Sequence, residues 1–351
     1  MAQLNLLEKL IALNLTKGVG PVQIKKLIEE TGGLERLGGA FEKDAKILDT
    51  VAKIILDAKR HGVEMVPIFD PRYPTELKEI SNPPAVLFVR GTLPPAEAPR
   101  VAVVGSRICS LYGRRMAQRI GADLARSGVV VVSGLALGID SVAHEGALEV
   151  EGLTVAVLAG CVVNPYPAAH AALAEKIIKQ KGALVSEFPI GTDPHPEYFP
   201  FRNRIISGLS RAVVVVEAQR KSGALITANL ALEQGREVYA VPGNADSLKS
   251  QGTNDLIKEG ARPATSAFDV LEDLGIAVAV PQNGTLGAAL SNEEEAVLSF
   301  LDSEPVLVDE LVEQSGLSAG KVSATLSLLE IKGFVSGLPG SYFVRKNPPN
   351  D

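Results

Sequence analysis

Apolar and polar residues follow three different patterns along this chain. Residues 1–62 carry apolar positions at helical spacing on both sides of a turn, KGVGP, at residues 17–21. Short β-like apolar runs follow at residues 63–69 and 85–89, separated by a proline-rich segment that breaks helices. The pattern therefore predicts a small helical domain at residues 1–62 and a new domain from residue 63.

From residue 101 onward the chain repeats one unit: an apolar run, a turn rich in Gly or Ser, and a helix. Because the runs are apolar throughout and are spaced by helices, they predict a mostly parallel sheet that is covered on both faces. We expect an α/β, extended Rossmann-like domain at residues 63–275. The predicted strands are residues 101–104, 129–132, 154–158, 183–185, 212–216 and 237–241.

The last part of the chain has a different composition. Residues 276–289 are rich in Gly and Ala and carry no charge, which is typical of a linker. Residues 290–347 then show three helical patterns followed by two β-like runs around a Gly-rich turn. This order predicts a winged-helix domain at the C-terminal end.

Composition limits the compartment and the ligands. The 351 residues have a net charge of -6, which argues against coating nucleic acid through overall positive charge, so any such site must be local. Cys109 and Cys161 form no CxxC pair, so we expect no disulfide framework and no metal site. The first residues favour an amphipathic helix over a signal peptide, and no stretch is long and apolar enough to span a membrane. We expect a cytoplasmic protein without a cofactor.

The turns after the predicted strands converge on one crevice, because ligands of open parallel sheets bind at the carboxyl ends of the strands. The first turn brings Gly105, Ser106 and Arg107, and a helix begins near residues 110–113. A glycine turn, free helix amides and a forked guanidinium predict a phosphate-binding cradle. A tight turn with a solvated arginine is the alternative. The second and third glycines of the dinucleotide fingerprint are missing.

The second turn contains residue types that a hydrolase uses. Ser133 and Gly134 follow a strand, and Asp140 and His144 lie one helical turn apart. Ser133 could be a nucleophile beside an Asp–His pair, but the GxSxG elbow is absent. We favour a structural interpretation, in which Asp140 caps a helix and His144 bonds to it or to a carbonyl.

The segment HPEYFPFRNRIISGLS at residues 195–210 mixes aromatic and basic side chains. Bases of a single strand stack on rings while guanidinium groups hold phosphates, so Phe199, Arg202 and Arg204 predict a single-stranded nucleic-acid site. In the alternative interpretation the phenylalanines are core residues and the arginines pair with Glu187 or Glu217.

Two further turns add anion-binding groups. Lys221 and Ser222 stand at a predicted helix start, where backbone amides favour an anion. Gly243 follows the last predicted strand, and residues 252–254 precede a short helix in which Asn254 could be only a cap. The sequence thus predicts a local cluster of positive charge in an acidic chain.

These motifs occur in an ordered series. They are GSR at residues 105–107, SLYG at 110–113, SGLALGID at 133–140, YP at 166–167, SEFP at 186–189, FPFRNRIISGLS at 199–210, SGALITA at 222–228, VPG at 241–243 and GTN at 252–254. Taken together, they resemble the DNA-processing protein A family, also called DprA or Smf, over essentially the whole chain.

The resemblance implies a non-enzymatic recombination mediator. Family members bind and protect incoming single-stranded DNA, form homodimers through the Rossmann domain and load the recombinase RecA during natural transformation. Carried onto this chain, the expected DNA-binding residues are Gly105, Ser106, Arg107, Ser133, Gly134, Ser186, His195, Phe199, Arg202, Asn203, Arg204, Lys221, Ser222, Gly243, Gly252, Thr253 and Asn254. A lysine that often precedes the two arginines is missing here, and only His195 could replace it.

The two end domains allow more than one interpretation. The turn at residues 17–21 looks like a SAM-like or helix-hairpin-helix motif, in which Lys17, Lys25 and Lys26 could meet phosphate, but it could equally serve packing. In the predicted winged-helix domain acidic residues outnumber basic ones. Because such a surface repels phosphate, contact with a protein is favoured over reading of duplex DNA.

The alternative function is enzymatic. The lysine-decarboxylase-like phosphoribohydrolases are nucleotide-cleaving hydrolases of similar fold, and they carry a PGGxGTxxE loop whose glutamate does the chemistry. The corresponding segment here, KSGALITAN at residues 221–229, has no matching glutamate. A dinucleotide-dependent oxidoreductase is disfavoured, since no acidic residue follows a proper fingerprint at the ribose-binding distance.

Overall fold

The structure is a computed structural model that describes residues 4–16, 18–31, 44–277, 290–302, 304–332, 334–338 and 340–345. The chain forms two compact units, Met1–Val280 and Pro281–Asp351. Most of the predicted linker, residues 278–289, lies outside the described residues, as do Lys17 and Lys346. Within the described residues, no helix combines the length and the apolar character needed to cross a membrane.

The first unit alternates helices and strands. Its helices are α1 (Leu6–Leu15), α2 (Pro21–Thr31), α3 (Ala45–Arg60), α4 (Thr75–Glu79), α5 (Leu111–Arg126), α6 (Ile139–Glu149), α7 (Ala171–Lys179), α8 (Tyr198–Gly208), α9 (Gly223–Glu233), α10 (Gln251–Lys258) and α11 (Ala267–Asp273). Its strands are β1 (Glu64–Pro67), β2 (Val86–Gly91), β3 (Arg100–Val104), β4 (Val130–Ser133), β5 (Thr154–Val157), β6 (Ala183–Ser186), β7 (Ala212–Val215), β8 (Glu237–Ala240) and β9 (Arg262–Pro263).

These strands form one sheet in the order β1-β2-β6-β5-β4-β3-β7-β8-β9. All neighbouring pairs from β6 to β9 are parallel, whereas β1 and β2 join the edge next to β6 in antiparallel pairs. The prediction of a mostly parallel α/β sheet is therefore confirmed. The two antiparallel edge strands extend it on the side of β6, and the short β9 closes the other edge.

Helices bury the sheet on both faces, and its strands are rich in apolar, β-branched residues. In β3, Val101 and Val103 belong to one apolar cluster, and Ala102 and Val104 belong to the other. Side chains alternate between the faces of a strand, so each cluster lies between the sheet and one layer of helices. This packing explains why the sequence of each strand is apolar at successive positions.

The N-terminal helices lie in the same compact unit as the sheet. The apolar residues of α1 and α3 belong to the same buried cluster as β1 and β2. Lys25 on α2 donates from Nζ to the carbonyl oxygen of Ile80, at 2.9 Å. Its ammonium group is therefore used in packing, which favours the packing interpretation of this turn.

The described residues of the second unit form three helices and a three-stranded sheet of order β10-β12-β11. Its elements are α12 (Asn292–Ser299), β10 (Val306–Leu307), α13 (Val308–Ser315), α14 (Ala319–Ile331), β11 (Val335–Leu338) and β12 (Tyr342–Arg345). A separate apolar core, which includes Val297, Leu311 and Leu326, holds it together. The predicted winged-helix domain is confirmed.

Candidate nucleic-acid interface

A crevice opens where the strand order of the sheet reverses. The chain runs outward from β3 through β4, β5 and β6, and then returns to place β7 on the other side of β3. The helices that follow these two strands, α5 after β3 and α9 after β7, pack on opposite faces of the sheet, as at other topological switch points. The space between the loops that follow β3 and β7, of about 730 Å³, is lined by residues 104–108, Ala136, Asp140, Tyr166, Pro196, Phe199, Pro200, Arg202, Asn203, Ile206, Gln219, residues 221–224, Ile226 and Thr227. We call this space the crevice.

The loop after β3 presents an exposed guanidinium to the crevice. Ser106 donates its backbone N–H to the carbonyl oxygen of Glu217, at 2.7 Å, and its hydroxyl group bonds to the backbone of Ile108. Arg107 is exposed, and its guanidinium carbon lies 5.3 Å from the ring centre of Phe199. This distance is within the range of a cation–π contact, so the ring helps to orient the charge.

At the start of α5 the backbone N–H groups of Ser110 and Gly113 are already bonded, which corrects the expectation of free amides for these two groups. Glu217, which follows β7, accepts a hydrogen bond from the backbone N–H of Ser110 at 2.8 Å and another from the Ser110 hydroxyl. The same hydroxyl accepts from the backbone N–H of Gly113, at 3.0 Å. A carboxylate of the chain itself therefore occupies the position at which a phosphate was expected. The exposed guanidinium of Arg107 remains available for a phosphate.

Arg202 lies at the base of the crevice, with only 4% of its surface exposed. Its Nη1 donates to the carbonyl oxygens of Gly134, at 3.0 Å, and Val157. Burial and the nearby positive charge of Arg107 lower the pKa of Arg202 to about 10, while the opposite charge of Asp140 partly offsets them. An anion that met either guanidinium group would form charge-assisted hydrogen bonds with it.

Asp140 also lines the crevice, and its carboxylate accepts the backbone N–H groups of Gly134, at 3.1 Å, and Ala136, at 3.4 Å. Asp140 therefore fixes the loop that precedes α6. The expectation that Asp140 caps this helix is corrected, because the cap residue is Gly138. Burial raises the pKa of Asp140 against the opposing effects of Arg202 and of these hydrogen bonds.

Arg204 is an interior residue. Its Nη2 donates to both carboxylate oxygens of Glu187, at 2.7 and 2.8 Å, and its guanidinium carbon lies 4.0 Å from the ring centre of Phe201. Only 2% of Arg204 is exposed. The structure therefore supports the ion-pair interpretation for Arg204 and corrects the expectation that its side chain meets DNA. Glu217 forms no ion pair within the part of the chain that the structure describes.

Two serines also belong to the core. Ser133 donates its hydroxyl to the carbonyl oxygen of Val103, at 2.6 Å. Ser186 accepts the backbone N–H of Phe188, at 3.0 Å. Because both serines are completely buried, they hold loops in place, and the expectation that they contact DNA is corrected.

Tyr166 and the half-buried Phe199 form an aromatic corner of the crevice. The rings of Tyr166 and Phe199 meet at 68°, with their centres 5.8 Å apart, and both line the crevice. Tyr166 is 54% exposed. His195 is exposed and contacts Tyr198 but does not line the crevice. The motif YP at residues 166–167 did not indicate that this tyrosine forms a wall of the crevice.

A second groove, of about 390 Å³, adjoins the crevice. Lys221, Ser222 and Ile226 line both spaces, and the groove is otherwise lined by Arg220, Leu225, Asn229, Gly252, Asp255, Leu256 and Glu259. Arg220 is paired with Asp255 at 2.7 Å. Lys221 is therefore the exposed basic residue shared by the two spaces.

The remaining expected residues stabilise the edge of that groove. Asn254 accepts from the backbone N–H of Gly243 and donates to its carbonyl oxygen, at 3.2 and 2.9 Å. Gly252 donates its N–H to the carbonyl oxygen of Ala218, and Thr253 bonds to Ser250. None of Gly243, Gly252, Thr253 and Asn254 lines the crevice itself.

The residue types of a hydrolase are present but not combined. Nδ1 of His144 lies 2.6 Å from the hydroxyl oxygen of Thr154, not beside Asp140 or a carbonyl, which corrects the expected partners. Burial, with the positive charges of His170 and Arg202, lowers the pKa of His144 to about 3. Ser133 bonds to Val103 and lies within hydrogen-bonding reach of Asp140, but His144 bonds to neither of them, so the three described side chains form no Ser–His–Asp relay. Within the described residues, no cluster of His, Cys, Asp or Glu is suited to holding a metal ion.

The family models, the relatives and two of the solved structures that this chain matches point to one family. Residues 64–275 match the family DNA recombination-mediator protein A, and residues 281–341 match the DprA winged helix domain. Protein Smf of Escherichia coli is 40% identical over 285 residues, which cover 79% of this chain and 76% of that protein. The X-ray structure of DNA processing protein A from Streptococcus pneumoniae is 35% identical with a TM-score of 0.66, and the match covers 79% of this chain and all of that one.

A second solved structure concerns single-stranded DNA directly. It is DNA processing protein A from Helicobacter pylori, described for its single-stranded DNA binding mode, at 28% identity and a TM-score of 0.54. The match covers 60% of this chain and 95% of that one. Together with the parallel sheet and the C-terminal winged helix, these matches show that the chain belongs to the DprA/Smf family of DNA recombination-mediator proteins.

Proposed function

We propose that this protein binds the sugar-phosphate backbone of single-stranded DNA in the crevice. The observation that carries the proposal is the convergence of Arg107, Arg202 and Lys221 on one space in a chain of net charge -6. Arg107 and Lys221 are exposed at its rim, and Arg202 lies at its base. Each can form a charge-assisted contact with a phosphate oxygen without needing the rest of the surface to be positive.

The aromatic corner gives the crevice its preference for a single strand. Tyr166 and Phe199 offer ring faces and edges beside Arg107. A base can stack on an exposed ring only when it is unpaired, since a duplex hides the faces of its bases. The Helicobacter pylori relative, described for single-stranded DNA binding, supports the same ligand.

The finer parts of the function rest on the family. We propose that the chain protects incoming single strands, loads RecA during natural transformation and acts as a cytoplasmic homodimer. We also propose that it binds DNA without reacting with it, and that the expected residues outside the crevice support its loops. Incubation with nucleoside monophosphates and with single strands checks the absence of chemistry, because release of free base would make the protein a hydrolase.

A binding measurement tests the central proposal. Fluorescence anisotropy with oligo-dT and with a duplex of equal length, over a range of salt concentrations, should show preference for the single strand. Arg107→Ala should weaken binding to oligo-dT about tenfold, and the salt slope should fall by about 0.7 because one phosphate contact is lost. Lys221→Ala should act similarly.

Arg119→Ala is the matched control, since Arg119 is an exposed arginine on α5 that pairs with Asp123 and does not line the crevice. It should bind oligo-dT like the unmodified protein. If Arg107→Ala and Lys221→Ala also leave both the affinity and the salt slope unchanged, the crevice does not hold the DNA backbone.

A further inference from the structure

The start of α5 holds an anion that belongs to the chain. Both carboxylate oxygens of Glu217 accept hydrogen bonds from Ser110, one from its backbone N–H and one from its hydroxyl. Glu217 is only 2% exposed, and its backbone oxygen accepts from Ser106. The carboxylate is thus bound at two points and shielded from water.

The helix is built to admit this carboxylate. Ser110 is the cap residue of α5, and its hydroxyl is bonded to both Gly113 and Glu217. A Cβ atom at position 113 would lie 2.7 Å from the carboxyl carbon and from one oxygen of Glu217. A side chain at position 113 would therefore displace the carboxylate. Gly113 is required by the neighbouring acid, since its own backbone is helical.

A helix start beside the switch point of a parallel sheet is where nucleotide-binding proteins of this architecture hold a phosphate. The amide, the hydroxyl and the positive end of the helix dipole all favour an anion there. In this chain the carboxylate of Glu217 accepts from the amide and the hydroxyl of Ser110. A small phosphate would have to replace a buried carboxylate or approach its negative charge.

We propose that Glu217 is a built-in substitute for a ligand phosphate and a determinant of specificity. It closes the nucleotide-phosphate position at the start of α5 and leaves only the rim, with Arg107 and Lys221, for anions. Free nucleotides and pyrophosphate are thereby excluded from the position that the fold offers them. This selectivity does not depend on single-stranded DNA being the ligand at the rim.

Titration calorimetry with inorganic pyrophosphate tests the proposal in the full-length protein. Glu217→Ala exposes the donors of Ser110, so its affinity for pyrophosphate should rise about tenfold, as expected for charge-assisted hydrogen bonds at a helix start. Glu145→Gln, which removes one negative charge from an exposed position on α6, is the control and should match the unmodified protein. Circular dichroism checks that each variant is folded.

Glu217→Gln serves if the alanine variant does not fold. It keeps an acceptor for Ser110 and removes the repelling charge, so affinity for pyrophosphate should rise about threefold. The gain should persist when Arg107→Ala is added, because the new position lies at α5 and not at the rim.

Two results would overturn the proposal: no gain in any folded Glu217 variant, or a gain that disappears with Arg107→Ala. Oligo-dT affinity is measured in parallel. If the unmodified protein does not bind oligo-dT, the proposed DNA function is wrong, but the proposal about Glu217 is unaffected.

Discussion

The crevice and the C-terminal unit both have shapes that can bind nucleic acid, but they expose different charges. A winged helix is a common DNA-binding shape, yet α12 begins with Glu293, Glu294 and Glu295. Two of the few lysines there are paired with these acids, Lys321 with Glu293 and Lys332 with Glu294. The crevice instead keeps Arg107 and Lys221 exposed. A fold that can bind DNA is therefore an insufficient argument for function, which depends on the charges that remain unpaired at a surface.

The largest expected effect tests whether every arginine near the crevice serves binding. Arg204→Ala should lower the free energy of unfolding by about 3–5 kcal/mol, because Glu187 would be left buried without its partner. Urea denaturation measures the change. The double variant Arg204→Met with Glu187→Leu should recover most of the stability, since it removes both buried charges.

If Arg204→Ala is as stable as the unmodified protein and binds oligo-dT more weakly, Arg204 belongs to the DNA surface. The contrast between paired and unpaired arginines would then be broken.

Arg202 shares features with both Arg107 and Arg204, because it lines the crevice and also bonds to two core carbonyl groups. Arg202→Ala should therefore reduce both stability and DNA binding.

The next effect sharpens the role of the aromatic corner. Phe199→Ala should weaken oligo-dT binding by about 1–3 kcal/mol, the contribution of one stacked base. Phe201→Ala is the matched control on the same helix, since Phe201 is exposed but does not line the crevice. Equal losses in the two variants, measured by anisotropy at one salt concentration, would mean that α8 as a whole matters and not the corner.

The smallest effect concerns the C-terminal unit. Removal of residues 281–351 should change oligo-dT affinity by less than about twofold, because the paired, acidic surface contributes no phosphate contacts. The shortened chain keeps the first unit with its own core. A tenfold loss of affinity would place a DNA contact in the winged helix, and the two units would then not differ in DNA binding.

The sequence predicted the sheet and the location of the crevice because both depend on local patterns. Apolar runs spaced by helices identified six parallel strands, and the topology rule placed the ligand at their carboxyl ends. The pattern did not distinguish the exposed Arg107 from the buried Arg204. That distinction depends on Glu187, which is 17 residues away in sequence and adjacent only in the fold.

The sequence pattern also could not predict that Glu217 occupies the start of α5. Ser110 and Glu217 are separated by 107 residues, and their hydrogen bond exists only because β3 and β7 are neighbours. The signal that could have found it is Gly113, a glycine inside the first helical turn where nothing in the backbone requires one. A glycine at such a position indicates close contact with another group.

Arg202 joins three separate parts of the chain through its guanidinium. It extends from α8 to the carbonyl oxygen of Gly134, after β4, and to that of Val157, in β5. The Arg202 side chain at the base of the crevice is therefore already held in place in the folded protein. It would lose little rotational freedom on binding an anion. Much of the entropic cost of ordering this charge is therefore met in folding, which leaves a rigid surface for the strand that we propose to bind there.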